Sequence, residues 1–182
     1  MSAHRMLVQR FSAAAALLVV IVLSCGERPA QATAPSGVTF TVLNRATVPE
    51  FDAIRRFRQP NEHAPSHAGP TWRIALEATR MIDVVTVLFT VQPGGHSGWH
   101  THPGPAIFTI SAGMLTMYEG DDPTCSPHAF PAGTGSIEAD TADHVHLLRN
   151  ETGVVAETVV TFLVPVGAPI RTDLPDPGHC AF

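Results

Sequence analysis

Two pairs of histidines carry the clearest chemistry in this sequence. His100 and His102 stand one residue apart in the stretch GWHTHPGP, and His144 and His146 have the same spacing in HVH. In an extended segment alternate side chains point to the same face, so each pair presents two imidazoles in one direction. Imidazole binds divalent transition metals well. The two pairs therefore predict one bound ion, which could be Fe, Mn, Zn, Cu or Ni.

Short β-strands must position these histidines, because β-branched and aromatic residues dominate the chain after residue 33. Turns rich in Pro and Gly separate the apolar runs, and no long helical periodicity is present, which predicts an all-β sandwich or barrel. A short helix is predicted for residues 50–57 alone. The predicted strands are residues 38–43, 72–78, 83–92, 106–111, 114–118 and 154–166.

The first histidine pair belongs to a longer pattern of fixed spacing. Gly94 is followed by five residues and then by His100 and His102, and Gly113 comes eleven residues later. In its glycines and histidines this pattern resembles the first motif of the cupin superfamily.

The second histidine pair fits the other cupin motif, which ends in His-x-x-x-Asn. His146 and Asn150 have this spacing, and the resemblance covers about residues 83–166. It is a resemblance to small secreted single-domain cupins, and it implies a double-stranded β-helix, which is a small jelly-roll barrel. It also implies that His100, His102 and His146 are the three imidazole ligands of a metal.

The sequence departs from the family at the fourth ligand. The family glutamate would fall at Ala106, whose methyl group cannot coordinate a metal. Three alternatives are open: a site with three histidines only, a carboxylate supplied by Glu138 in the stretch GSIEAD, or His144 as a fourth imidazole. We favour the three histidines with Glu138, and a carboxylate in the set favours Mn or Fe.

These residues lead to two hypotheses about function. The first is a metal-dependent oxidoreductase of dioxygenase type, because such a centre keeps positions open for O2 or a small organic substrate. The alternative is a module that holds a metal or a small molecule without turnover, since a fold does not determine a function. Without a metal, the histidines would form a polar cluster that titrates at roughly pH 6–7. The residues identify no substrate and no catalytic group, and they are compatible with a monomer or a homodimer.

The first 32 residues predict export from the cytoplasm. Arg5 and Arg10 precede an apolar run over residues 11–23, and a small-residue cleavage site follows at residues 30–32, as in a secretory signal peptide. Cys25, in VLSCG, also resembles the lipidated cysteine of bacterial lipoproteins. The mature protein is therefore expected to be secreted or to lie in the cell envelope, where lipidated Cys25 would anchor it to a membrane.

Export changes the interpretation of the other two cysteines. Cys125 and Cys180 remain after removal of the signal region, and thiols in an oxidising compartment tend to pair. The sequence therefore predicts a disulfide that fastens the C-terminal tail to a loop.

Length and charge limit the remaining options. The chain of 182 residues has room for one domain after the signal. We divide it into a signal (1–32), an N-terminal strand and loop extension (33–71) and a barrel with a C-terminal tail (72–182). Beyond residue 32 there are 8 arginines and no lysine against 15 acidic residues, a net charge of −7. Nucleic acid is therefore not an expected partner.

Overall fold

The computed structural model describes residues 31–58, 71–139 and 144–182. Almost all of the predicted export signal, with Cys25, lies outside these residues. In the described ranges every regular element is a β-strand. None of these residues forms a helix of the length and apolarity that a membrane crossing requires.

The strands follow one another closely along the chain. Each of the six predicted runs falls within or overlaps an observed strand, so these predictions are confirmed. The strands are β1 (Ser36–Val48), β2 (Phe51–Arg58), β3 (Thr71–Ala78), β4 (Ile82–His96), β5 (His100–Thr101), β6 (Ala106–Ala112), β7 (Met114–Glu119), β8 (His128–Pro131), β9 (Gly135–Glu138), β10 (His146–Arg149), β11 (Ala156–Pro165) and β12 (Thr172–Asp173).

Eight of these strands form two four-stranded antiparallel layers. One layer has the order β4-β11-β6-β9 and the other has the order β5-β10-β7-β8. The chain passes repeatedly between the layers, and β10 also meets the end of β4 where Arg149 pairs with His96. This strand order is that of a double-stranded β-helix. The predicted fold, and with it the cupin resemblance, is therefore confirmed at the level of the fold.

The core lies between the two layers and follows from the two-residue period of the strands. In β4, alternate residues are buried from Asp83 to Val91 while their neighbours are partly exposed, and β11 shows the same pattern. Phe108 and Ile110 on β6 and Leu115 on β7 complete the apolar interior. The alternation in the sequence thus determines which side chains face the core.

The N-terminal strands divide between the barrel and a separate hairpin. β1 pairs with β4 along its length and so extends one layer, whereas β2 and β3 pair only with each other among the described strands. The domain boundary predicted at residues 71–72 falls at the start of β3, and the division itself stays a prediction.

The helix predicted for residues 50–57 is wrong. This segment is β2, and it pairs with β3 from Phe51, opposite Ala78, to Arg58, opposite Thr71. A helix of eight residues gains few internal hydrogen bonds and is marginal in water. The cross-strand hydrogen bonds with β3 outweigh its weak helical preference.

The C-terminal tail is fastened over β5, the strand that carries His100. β12 pairs with β5, and the Leu174 N–H donates to the Trp99 carbonyl at 2.9 Å. Cys125 and Cys180 form a disulfide, with their Cα atoms 5.5 Å apart. The predicted pairing is confirmed in the structure, and it closes the tail onto the loop between β7 and β8.

Removing this disulfide should destabilise the barrel. The cross-link spans 55 residues, and we expect Cys125→Ser with Cys180→Ser to lower the free energy of unfolding by about 4 kcal/mol. Urea unfolding with and without reductant measures the effect. The double variant should be insensitive to reductant. A native protein whose unfolding midpoint does not move on reduction would contradict the prediction.

Asp83 joins β1, β4 and the turn after β11. Its carboxylate accepts hydrogen bonds from Arg45 Nε at 2.8 Å, Thr47 Oγ1 at 2.6 Å and the Gly167 N–H at 3.0 Å. The hydrogen bonds from Gly167, Thr47 and Arg45 lower the pKa of Asp83 to about 2. The ionised form is therefore favoured by folding.

This carboxylate should give the fold an acid-sensitive contribution. A lowered pKa stabilises the folded state above the ordinary value of 3.8, and this contribution disappears as the pH falls toward about 2. Asp83→Asn should therefore lower the melting temperature at neutral pH, and the difference from the native protein should vanish over this acid window. Exposed Asp121→Asn serves as the control. A difference that is independent of pH would show that Asp83 acts by packing alone.

Candidate metal centre

The three histidines that the cupin resemblance implies meet at one end of the barrel. His100 on β5 stands directly opposite His146 on β10 in the antiparallel register, and His102 follows β5 by one residue. One ring nitrogen from each lies within 4.8 Å of the other two. The side chains of His102 and His146 are only 8% and 3% exposed. The fold therefore converges three buried imidazoles on one point.

Backbone carbonyls determine the orientation of two of these rings. Nδ1 of His100 lies 2.9 Å from the Gly98 carbonyl, and Nδ1 of His102 lies 2.6 Å from the Ile170 carbonyl. A carbonyl oxygen only accepts, so each Nδ1 carries a proton and each Nε2 is left to face the centre. Metal-binding histidines use the same arrangement, in which the second ring nitrogen donates to an outer group.

His146 provides the test of whether a metal fits. Both of its ring nitrogens are buried, and neither has a hydrogen-bond partner in the described part of the chain. A buried polar atom without a partner costs about 1–3 kcal/mol. Burial also lowers the pKa of His146 to about 4 and holds that of His100 well below its usual range. Both rings are therefore neutral at neutral pH, as metal ligands must be, and a divalent ion fits the donor set.

Glu138 brings a carboxylate to the same point from the other layer. It ends β9 and is the direct cross-strand partner of Ala106 on β6. Its Oε2 lies 3.3 Å from His102 Nε2 and 3.4 Å from His146 Nε2. Two atoms bound at roughly 2.1 Å to one ion lie roughly 3.0–3.4 Å apart for octahedral to tetrahedral angles. These separations fit a shared metal ion, and they fit a direct N–H···O contact equally.

The charges of this group also favour a cation. Burial raises the pKa of Glu138, and the contacts with His102 and His146 lower it. The lowering effects together exceed the raising one, so the pKa of Glu138 lies below its ordinary value. Glu138 is then ionised at neutral pH and faces Nε2 of both rings. A divalent cation between these atoms would bind all three, whereas a proton on a ring nitrogen would join only two of them.

His144 lies beside the centre. It precedes β10 and belongs to no strand, so the face alternation that paired it with His146 does not hold there. Its Nε2 contacts Glu119 Oε2, and its ring centroid lies 6.0 Å from that of His146. With Glu119 and Asp121 it forms a second group of residues that could bind a metal. Its role as a fourth imidazole stays a prediction.

The motif residues around the histidines shape the backbone. Gly94 and Gly113 adopt φ angles of 75° and 70°, which disfavour other residues. A Cβ at Gly113 would also stand 2.7 Å from the Val155 carbonyl oxygen. Asn150 is buried and donates from Nδ2 to the Val91 carbonyl at 2.9 Å. Gly94 lies in β4, Gly113 forms the turn between β6 and β7, and Asn150 directly follows β10.

A cavity leads to the centre through the barrel interior. Its volume is about 30 Å³, and it is partly open to solvent. His100, His102, Glu138, Ser97 and Arg171 line the polar end. The apolar walls come from both layers and from the tail: Phe40, Val87, Phe89, Phe108, Leu148, Val160, Phe162 and Ile170.

Two tail residues of this site are not predicted by the sequence. Ile170 contributes the carbonyl that orients His102, and Arg171 Nη2 donates to the Ser97 carbonyl at 2.8 Å. The predicted disulfide indicated that the tail is fastened. It did not indicate that the tail lies over the centre, because that position depends on the pairing of β12 with β5.

No protein-family model and no curated protein matches this sequence. Among solved structures, an uncharacterized protein with a double-stranded β-helix domain from Klebsiella pneumoniae is 22% identical over 50% of this chain and 70% of its own, with a TM-score of 0.42. A Cupin_2 domain of an XRE-family transcriptional regulator from Enterobacter cloacae is 12% identical over 71% of this chain and 99% of its own, with a TM-score of 0.41. A recombinant oxalate oxidase in complex with glycolate is 21% identical over 49% of this chain, with a TM-score of 0.41.

These similarities lie below 25% identity and concern the fold alone, and this chain spans 45% of the oxalate oxidase. The strand order of the chain itself defines a barrel of the cupin type. The converging histidines give that barrel a candidate metal centre.

The geometry predicts different effects for Glu138 and Glu119. Glu138→Gln keeps the shape but removes the charge, so metal affinity should fall by at least roughly tenfold, the lower limit for losing even an outer partner. Glu119→Gln, which alters the carboxylate beside His144, should leave metal affinity unchanged. Titration with Zn²⁺ against a competing chelator measures both. Retention of full affinity by Glu138→Gln, with loss in His102→Ala, would place Glu138 outside the ligand set.

Proposed function

We propose that this protein binds one divalent transition metal through His100, His102, His146 and Glu138, and that it is a dioxygenase-type oxidoreductase acting on a small organic molecule. One observation carries the proposal. Three buried imidazoles converge beside the carboxylate of Glu138, while His146 has no hydrogen-bond partner among the described residues.

The metal would supply Lewis acidity and open coordination positions for O2 and substrate. The chain supplies the conditions for that chemistry. Glu138 provides a negative charge that offsets part of the charge of the ion, and the Gly98 and Ile170 carbonyls keep two rings in the ligating tautomer. Phe89, Phe108 and the other apolar walls exclude water from the polar end of the cavity.

The alternative function is a module that holds a metal or a small molecule without turnover. The dense apolar filling of the barrel favours it, because side chains from both layers occupy most of the interior. In their metal-dependent form both functions use the same metal site. They differ in whether O2 is consumed.

Export is part of the proposal. A disulfide between Cys125 and Cys180 supports it, because structural disulfides persist mainly in oxidising compartments. Residues 1–30, which carry the signal features and Cys25, lie outside the described residues. The exported protein is then either freely secreted or anchored by a lipid on Cys25, and it is either a monomer or a homodimer.

Metal content tests the proposal directly. Protein purified without a histidine tag should contain, or take up on reconstitution, close to one equivalent of a transition metal per chain. His102→Ala should lose it, because the ring that Ile170 orients would be gone. A native protein that stays metal-free after reconstitution would refute both functions in their metal-dependent form.

Oxygen uptake then separates the two functions. The metal-loaded protein should consume O2 with at least one member of a panel of small organic acids, thiols, sugars and phenolic compounds. His102→Ala should not consume it. Binding of a panel member with no O2 uptake and no product would instead support the holding module.

A further inference from the structure

Arg171 is a cationic side chain in the wall of the metal cavity that the proposed function leaves without a role. It follows Ile170, whose carbonyl orients His102, and its side chain is only 14% exposed. Nε donates to Asp173 Oδ1 at 2.8 Å, and Nη2 donates to the Ser97 carbonyl and to the same Asp173 oxygen. A guanidinium has five N–H donors. The two on Nη1 have no partner among the described residues.

The charge of Arg171 lies beside the centre, because its side chain lines the same cavity as His100 and Glu138. Its partner Asp173 is 41% exposed, so water screens that ion pair on its outer side. The ion pair with Asp173 therefore offsets only part of the guanidinium charge.

The charge balance of the loaded cavity favours an anionic ligand. A divalent ion and Arg171 contribute three positive charges, and Glu138 and Asp173 contribute two negative ones. One positive charge remains in a cavity whose other walls are mostly apolar. Burying a charge without a partner is unfavourable, and one monoanion would neutralise it.

We propose that the cavity takes a small carboxylate with an apolar body and that Nη1 of Arg171 binds the carboxylate, an inference that rests on the proposed metal site. Nη1 offers two N–H donors, and hydrogen bonds from a charged donor to an anion are strong. The phenylalanine and valine side chains of the walls match the hydrocarbon part. Arg171 thus selects the substrate class.

Calorimetry on full-length protein loaded with Zn²⁺ tests the proposal with butyrate and butyramide, which differ in charge but not in shape. Native protein should bind butyrate at least about tenfold more tightly than butyramide. Arg171→Gln should lose this preference while keeping its Zn²⁺. Arg80→Gln, which removes an arginine from the rim of a different groove, should keep the preference. Equal binding of butyrate by the native protein and Arg171→Gln would overturn the proposal.

A second variant works in the opposite direction and does not depend on the stability of Arg171→Gln. Asp173→Asn keeps an oxygen acceptor for Arg171 but removes the competing negative charge, so it should bind butyrate several-fold more tightly than the native protein. A purely structural Arg171 would leave butyrate affinity unchanged in this variant. Zn²⁺ content in the same samples separates the outcomes. Absence of Zn²⁺ refutes the proposed function, and bound Zn²⁺ with no preference for butyrate refutes this inference alone.

Discussion

An ionised carboxylate faces two imidazole nitrogens inside the barrel, and the rest of the site depends on that contact. Glu138 Oε2 lies within 3.4 Å of His102 and His146. Nδ1 of His102 donates to the Ile170 carbonyl, so Nε2 is the atom that faces the carboxylate. A packed interior offers little water to solvate these polar atoms. A divalent metal between them would satisfy the carboxylate and both nitrogens at once.

The tail is as much a part of this site as the barrel. It supplies the carbonyl that orients His102 and the guanidinium of Arg171. It is held in place by the pairing of β12 with β5 and by the Cys125–Cys180 disulfide. Since outer hydrogen bonds orient metal ligands, loosening the tail would weaken the centre without changing a ligand. Stability and ligand geometry are therefore coupled through the tail.

The sequence predicted those features that depend on local patterns. Alternation along β4 and β11 specifies the strands and their buried faces, and the spacing of Gly94, His100 and His102 indicates the motif. The other features depend on which strands pair with one another, and the local sequence pattern does not specify that pairing. The helix expected at residues 50–57 yielded to the hydrogen bonds of the β2–β3 hairpin. The place of Arg171 in the cavity depends on a two-residue strand, β12, whose sequence carries no strand pattern.

Ala106 on β6 pairs directly with Glu138 on β9, so the register of these two strands places a carboxylate beside the alanine. Directly paired residues share one face of a sheet, with Cβ atoms roughly 4.5–5.5 Å apart. A glutamate at either position therefore reaches the same point, but glutamates at both would place two buried negative charges side by side. Ala106, which is fully buried, leaves room for the Glu138 side chain across the strand pair. The alanine at position 106 and the glutamate across the strand pair thus fit one arrangement, in which the carboxylate beside the histidines comes from the neighbouring strand.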